Sequence, residues 1–518
     1  MNESEVRACV AEVVMLRSSV EFAHEEEALL RTGAARGLQI RSGQVRMRIA
    51  ELRAIAPNEL LVAADMEIGS PFAADGIALP PQMALGAAGC EELASAWGRA
   101  VGWEGRRLGI DVAFGPVLDV NTNPANPIVN IRSFGEDPDA ACRLGAALVR
   151  GFMAAGLGSC GKHWPGSGDL AVDCHLALGH LLASRERLRA LEWRPFAAAI
   201  AAGLNGVMST HVMVPEIDAH ACTTVSAQLI APLRAELGLR GLIYSDSLGM
   251  EGLRQTMDSA EAAWRSLAAG HDQVLIDYRR PPSDTIEAIV AAASDGRLPL
   301  ARLRSAAEAT RHYKAAFTAR PPLPENVAIR QEIIRVGRQV AALSLTGWNG
   351  TAIRPDLGPS PLVILCDDLV RVGAGVADEL GNDNVSRHPV ASQILKRLSA
   401  TALVLAENPT PEAITEALLA ADGASAVLGV CCARISCYKG DGVRLPGAQR
   451  ELWNKLRCRG RLPAMILLGS PYALADLPQG CPTIVGYGDD GFTVEAAMQA
   501  LDTGSTCPGR LPVTVEPR

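Results

Sequence analysis

From Leu60 onward the chain alternates short apolar runs with longer stretches in which apolar residues recur every third or fourth position. The runs LLVAADM (60–66), IDVAFGPVLDV (110–120), GSCGKHW (158–164), GVMSTHV (206–212), GLIYSDS (241–247) and DQVLID (272–277) have the length and character of buried strands. Between them, stretches such as DAACRLGAALVRGFMAAG and SRERLRALEWRPFAAAIAAG carry helical spacing. Strands alternating with helices predict an α/β fold built on a mainly parallel sheet. Residues 1–320 are therefore expected to form a (β/α) TIM-type barrel. Before Leu60 no strongly apolar strand stands out, and QIRSGQVRMRIAELRA is basic and helix-like.

A proline cluster near 321–324 changes the pattern, and residues 321–345 read as a linker with a connecting helix. A second strand series follows: PLVILCDD (361–368), TALVLAEN (401–408), ASAVLGVCC (424–432), PAMILLGSPY (463–472) and PTIVGYGDD (482–490). Helical candidates separate these too, so residues 346–518 are expected to form a C-terminal α/β sandwich of the doubly wound kind.

Composition narrows the partners. The chain has 518 residues, 48% hydrophobic and 20% charged, which suits a soluble protein with more than one core. Its net charge is −8 and no Lys/Arg run stands out, so neither a nucleic-acid nor a membrane partner is expected. The N-terminal stretch lacks a leader pattern and no apolar run reaches membrane length, which makes a cytoplasmic location the expectation. Thirteen cysteines without CxxC spacing point to reduced thiols, with no disulfide framework and no zinc site. No cofactor and no metal are expected, and nothing in the pattern speaks to oligomeric state.

The polar residues cluster at strand C-termini: Asp65 and Glu67, Asp119, Lys162 and His163, His211, Ser245 and Asp246. In a barrel these ends meet at one mouth. Asp246, followed by a tight turn in YSDSLGM, suits nucleophilic or electrostatic work, although an S-D-S also suits a helix cap. In the loop GKHWPGSGDLAVDCH, the spacing of Asp173 and His175 lets a carboxylate orient an imidazole. Such an imidazole can protonate a leaving group and later deprotonate water, but an isolated D-x-H is also a common surface coincidence. The adjacent Lys162 and His163 suit hydroxyls or a carboxylate. Downstream, the acidic pairs Asp367-Asp368 and Asp489-Asp490 end strands, and CYKGDGVRLPG (437–447) lacks the P-loop spacing and has no nucleotide role.

Taken in order, these segments resemble glycoside hydrolase family 3 and its β-N-acetylglucosaminidase branch. The family's loop K-H-F-P-G-H-G-D-x-x-x-D-S-H aligns without a gap on Lys162 to His175. GPVLDVNTNPANPIVNIRSFGEDP (115–138) and LRAELGLRGLIYSDSLGMEGL (233–253) resemble its other two motifs, and the second domain with GRLPVTV (509–515) resembles its two-domain members. The resemblance implies a retaining exo-β-N-acetylglucosaminidase acting on an N-acetylglucosamine-containing glycan, cell-wall muropeptides among them. It implies Asp246 as nucleophile, His175 as acid/base with Asp173 as its partner, and Asp65, Arg132, Lys162 and His163 as sugar-binding residues. Phosphorolysis by the same residues, or sugar binding without turnover, stays open. The chain departs from the family pattern at Asp65–Pro71, where a glycine pair and an arginine are lost, at Ser167 in place of histidine, at Gly179 in place of proline, and at Cys174 in place of serine.

Overall fold

Asp137 and Pro138 open a helix as their chemistry dictates. The Asp137 carboxylate accepts from the Asp139 N–H, and Pro138 stands where its missing N–H costs nothing. The helix, Pro138–Ala154, lies against Glu91–Leu108, and the two approach through glycines. A Cβ on Gly98 would stand 2.3 Å from the Leu148 carbonyl oxygen, and one on Gly151 2.2 Å from that of Ser95. Any side chain at either position would push the helices apart.

The structure, a computed structural model, describes residues 2–18, 22–40, 44–318, 320–367, 388–435, 437–440 and 443–516. Asp368, and Asp441 and Gly442 of the CYKGDGVRLPG loop, lie outside the described residues. By contacts the chain falls into two units. The first comprises Met1–Ala78, Glu91–Val129 and Asp137–Ile333, and the second Leu79–Cys90, Asn130–Glu136 and Ile334–Arg518. The division falls inside a helix, Val327–Ser344.

The first unit contains β1 (Val14–Arg17), β2 (Gly37–Gln39), β3 (Leu61–Ala64), β4 (Val112–Ala113), β5 (Gly158–Ser159), β6 (Gly161–Trp164), β7 (Gly179–His180), β8 (Gly206–Ser209), β9 (Val212–Met213), β10 (Leu242–Ser245) and β11 (Val274–Leu275). They form parallel ladders in the orders β11-β1-β2-β3-β4-β5 and β10-β8-β6, with β7 and β9 as a separate pair. The α/β class and parallel pairing agree with the sequence pattern, but the ladder is not a closed barrel. It parts at Cys160, whose N–H turns to the Ala113 and Gly115 carbonyls, and the register of β6 on β8 shifts between Lys162 and Trp164. Such irregularity interrupts pairing and re-aims side chains. At the other seam the single bridge Tyr244↔Gln273 links the sheets. Residues from both sheets, among them Met15, Leu61, Phe114, Met208, Tyr244 and Leu275, meet in one interior cluster. A further correction lies before Leu60, where two strands, β1 and β2, stand where none was expected.

The second unit carries β12 (Thr346–Trp348), β13 (Leu362–Asp367), β14 (Thr401–Ala406), β15 (Val427–Ala433), β16 (Ala464–Gly469) and β17 (Thr483–Gly486). The order is β12-β17-β16-β15-β13-β14, parallel except for β12. Strands β13, β15 and β16 are buried along their whole length, which is why they read as unbroken apolar runs. Among the described residues no helix is long and apolar enough to cross a membrane.

Candidate active site

Asp246 follows directly on β10, and its N–H donates to the Ser209 carbonyl at 3.0 Å, fixing it beside the end of β8. The next helix, Glu251–Arg254, begins at Met250, so Asp246 does not serve as its cap. Instead its Oδ1 accepts from the Ser247 N–H at 2.7 Å. Ser247 is in turn held from two sides: the Arg17 guanidinium at the end of β1 donates to its Oγ, and His211 Nε2 faces its carbonyl oxygen at 2.9 Å. A carbonyl only accepts, so Nε2 carries the proton and Nδ1 accepts from the Thr224 hydroxyl at 2.6 Å. Burial pushes the His211 pKa down and favours this neutral form. At Asp246 burial acts to raise the carboxyl pKa. The His211, His163 and His175 rings, to the extent that they are protonated, and the Ser247 N–H outweigh it and hold the group at about 2. Asp246 is thus an ionised carboxylate throughout the ordinary pH range.

The Asp173–His175 pair is built on the loop that follows β6. Asp173 is buried, and its Oδ1 meets both the His175 N–H at 2.8 Å and His175 Nδ1 at 2.7 Å. The two contacts fix the ring plane and direct Nε2 away from Asp173. Leu170 and Cys174 anchor the same loop in a core with Trp164, Trp193 and Met250. The Glu251 and Gly252 N–H groups donate to the His175 and Cys174 carbonyls, each at 3.3 Å. Burial pushes the Cys174 thiol up to about 12, so the cysteine packs and does not attack.

Lys162 and His163 are adjacent residues of β6, just before its last residue, Trp164. Lys162 is 3% exposed, and its Nζ lies 2.9 Å from Asp65 and 2.6 Å from Glu67, two carboxylates that compensate a buried cation. Gln39, the last residue of β2, donates to the other Asp65 oxygen at 2.9 Å. His163 Nδ1 meets Asp119 Oδ2 at 2.7 Å, and the fully buried Asp119 also accepts from the N–H groups of His163 and Ser167. Trp164 stacks on Trp193 with centroids 4.8 Å apart and donates from Nε1 to the Leu229 carbonyl, which locks the strand end behind the site.

The structure therefore brings Asp65, Lys162, His163, Asp173, His175 and Asp246 to one edge of the first unit's parallel strands. Arg132 lies in a short 3-10 turn, Asn130–Arg132, that clusters with the second unit. The altered Asp65–Pro71 loop has its own support. Ser70 Oγ donates at 2.7 Å to the buried Glu104, which also accepts from Arg107, and Arg107 reaches Asp75 at 2.6 Å. Ser167 is held here through its backbone, its buried Oγ having no hydrogen-bond partner among the described residues. Arg17, Gln39, Thr224 and Ser247 were not singled out from the sequence. The first two obey the same strand-end rule as Asp65, and only the unseen strands β1 and β2 hid them. Among the described residues no group of three His, Cys, Asp or Glu side chains is placed to hold a metal ion.

Known proteins resemble this chain in sequence and in fold. The chain is 34% identical over 264 residues to a β-hexosaminidase of Neisseria meningitidis serogroup B, a match that covers 47% of this chain and 73% of that protein. It is 36% identical over 236 residues to a β-hexosaminidase of Pseudomonas aeruginosa, covering 45% and 70%. The solved family 3 β-N-acetylglucosaminidase of Paenibacillus sp. str. FPU-7 superposes with a TM-score of 0.86 at 26% identity, over 98% of both chains. Residues 21–311 match the glycosyl hydrolase family 3 N-terminal domain, and with more than half of its length so matched the chain belongs to glycosyl hydrolase family 3.

Proposed function

We propose that the chain is a retaining, exo-acting β-N-acetylglucosaminidase that removes terminal β-linked N-acetylglucosamine, with cell-wall muropeptides as its source and the cytoplasm as its place of work. The observation that carries this reading is Asp246 fixed at the end of β10 by Ser209 and Ser247, with His175 oriented by a buried carboxylate on the loop after β6. The β-hexosaminidase relatives support the sugar, and thirteen free cysteines support a reducing compartment. The two parallel sheets of the first unit are then the arcs of a (β/α) barrel, with the Tyr244↔Gln273 bridge at one seam.

The chemistry is a double displacement in which an imidazole stands where most such enzymes use a second carboxylate. An Asp246 oxygen attacks the anomeric carbon, and the bond to the leaving oxygen breaks. The leaving oxygen keeps the electron pair and takes the proton from His175 Nε2, while Asp173 steadies the imidazole through Nδ1. In the second step the now neutral Nε2 removes a proton from water. The water oxygen attacks the anomeric carbon and the Asp246 carboxylate departs, so that two inversions give retention. Asp65, Lys162 and His163 hold the sugar hydroxyls in this scheme. A neutral base repels an anionic acceptor less than a carboxylate does, so inorganic phosphate belongs in the test.

The test is turnover of a chromogenic N-acetyl-β-glucosaminide and of the matching glucoside, with and without phosphate, by the protein and by Asp246→Ala. The expected result is hydrolysis of the N-acetyl sugar that vanishes in the variant and does not respond to phosphate. Release of sugar 1-phosphate would make the protein a phosphorylase, and absence of turnover on both sugars would overturn the reading.

A further inference from the structure

The helix Glu251–Arg254 has two neighbours. On one side its Glu251 and Gly252 N–H groups donate to the carbonyls of His175 and Cys174, and the following Gln255 side chain donates to the Leu176 carbonyl at 3.2 Å. On the other side Arg254 lines a polar pocket of about 290 Å³, together with Asp277 at the end of β11, Arg279, Arg280, Asp258 and Asp284. This one helix thus joins the loop of the proposed acid/base to the pocket.

The three arginines of the pocket are not alike. Arg280 is consumed by the structure: it meets both oxygens of Asp258, at 2.7 and 3.0 Å, and reaches Asp284 at 3.4 Å. Arg254 makes one long bond to Glu251 at 3.2 Å and lies 3.4 Å from Asp277. Arg279 is looser still, 3.6 Å from Glu251 and 3.9 Å from Asp277, with its guanidinium 5.5 Å from the Tyr278 ring centroid. Among the described residues its side chain makes no hydrogen bond, although the guanidinium holds five N–H donors in a fork that fits a carboxylate edge. Asp277 is 2% exposed and cannot turn outward to close these distances.

Resting on the glycosidase reading above, we infer that this pocket is a specificity site in which Arg279, assisted by Arg254, grips a carboxylate on the leaving-group side of the substrate. A single negative charge suits it, because Asp277 and Glu251 already stand beside the arginines and would repel a doubly charged group.

The probes are two disaccharides in which N-acetylglucosamine is β-linked to position 4 of either N-acetylmuramic acid, with its lactyl carboxylate, or N-acetylglucosamine, with a hydroxyl in its place. The readout is the ratio of kcat/KM for the acidic over the neutral disaccharide, so that intrinsic leaving-group differences cancel between proteins. In Arg279→Ala this ratio falls about tenfold, as expected for losing hydrogen bonds to a charged group. An unchanged ratio, with both substrates losing equally, overturns the inference. Calorimetric titration of Asp246→Asn with the same disaccharides, with Arg279 intact or replaced by alanine, needs no turnover. A preference for the acid that Arg279→Ala abolishes supports the pocket even if the native protein fails to hydrolyse, in which case only the catalytic reading falls. Equal binding of both disaccharides, or binding of neither, overturns the pocket.

Discussion

His175 Nδ1 lies 2.7 Å from Asp173 Oδ1, which leaves Nε2 to face outward from the pair. The D-x-H spacing suggests that Asp173 orients the imidazole, and the 2.7 Å contact between the two side chains supplies the geometry that spacing alone could not. From that geometry follows a prediction on leaving groups. Replacing His175 by alanine removes proton donation but leaves Asp246 and its Ser247 contact in place. Turnover of an alkyl or disaccharide substrate should fall by about 10² to 10⁴, whereas an activated aryl glycoside should lose less than tenfold in its first step. Equal losses on both, read from kcat/KM, would remove His175 from the acid role. Asp65, Lys162, His163 and Asp246 were legible for a different reason, each being a polar residue near the end of a recognisable strand, while Arg132, in a 3-10 turn, was marked only by the family resemblance. Arg17 was not legible, because its strand went unseen. Ser247 and Thr224 act through backbone and hydroxyl contacts made by the fold, and no spacing announces them.

Elements were legible where their length or punctuation was ordinary. The strands of the second unit run four to seven residues except β12, and all but β12 were visible as apolar runs. β1 was hidden because the helix Glu3–Val13 passes into it with no glycine or proline between, the backbone simply turning extended at Val14, so that CVAEVVML reads as one helical stretch. β2 is three residues long, too short for alternation to register, whereas β4 and β11, two residues each, lie inside longer apolar runs that mark them. Helix caps offer a finer test. Asp490 caps Gly491–Thr503, its Oδ1 accepting from the Phe492 and Thr493 N–H groups while Oδ2 meets the Thr493 hydroxyl at 2.6 Å. Burial, with Asp489 adding to it, pushes its pKa up to about 6 against the bonds from Thr493 and Phe492. A raised folded pKa means that the protonated cap contributes stability fully below the unfolded value of 3.8, and that this is lost as pH rises through about 6. Asparagine caps equally well and keeps a donor toward Thr493 at every pH. The unfolding midpoint of Asp490→Asn, relative to the native protein, should therefore climb between pH 4 and pH 7. A difference that shrinks over that range would mean that the helix dipole, which favours a charged cap, dominates instead.

On the scale of the whole chain, sequence order and contact order disagree, and no local pattern could have revealed it. Two segments from the first 140 residues, Leu79–Cys90 and Asn130–Glu136, belong by contacts to the second unit. They are tied to the chain's last turns: the Arg510 N–H donates to the Ala87 carbonyl at 3.0 Å, the Glu136 N–H to the Pro512 carbonyl at 3.0 Å, and the Thr514 N–H to Glu136 Oε2 at 2.9 Å. Gly135, at φ +121°, lies so near that a Cβ would stand 2.3 Å from the Pro512 carbonyl oxygen. A chain ended at Ile333 should therefore lose amide-exchange protection in 79–90 and 130–136, the second of which carries Arg132, while β8, β10 and β11 keep theirs. Protection retained in those two segments would show that they hold without the C-terminal residues. Loss across every strand of the first unit would show instead that this unit does not fold alone. Gly135→Ala separates these cases within the full chain. It sets a strained backbone, of about 1 to 3 kcal/mol, and a Cβ clash at that one contact, so its exchange should rise in 130–136 and around Pro512 and not in β10 or β11. If it rises nowhere, the contact does not hold the segment, and the truncated chain's loss would have to come from elsewhere in the second unit.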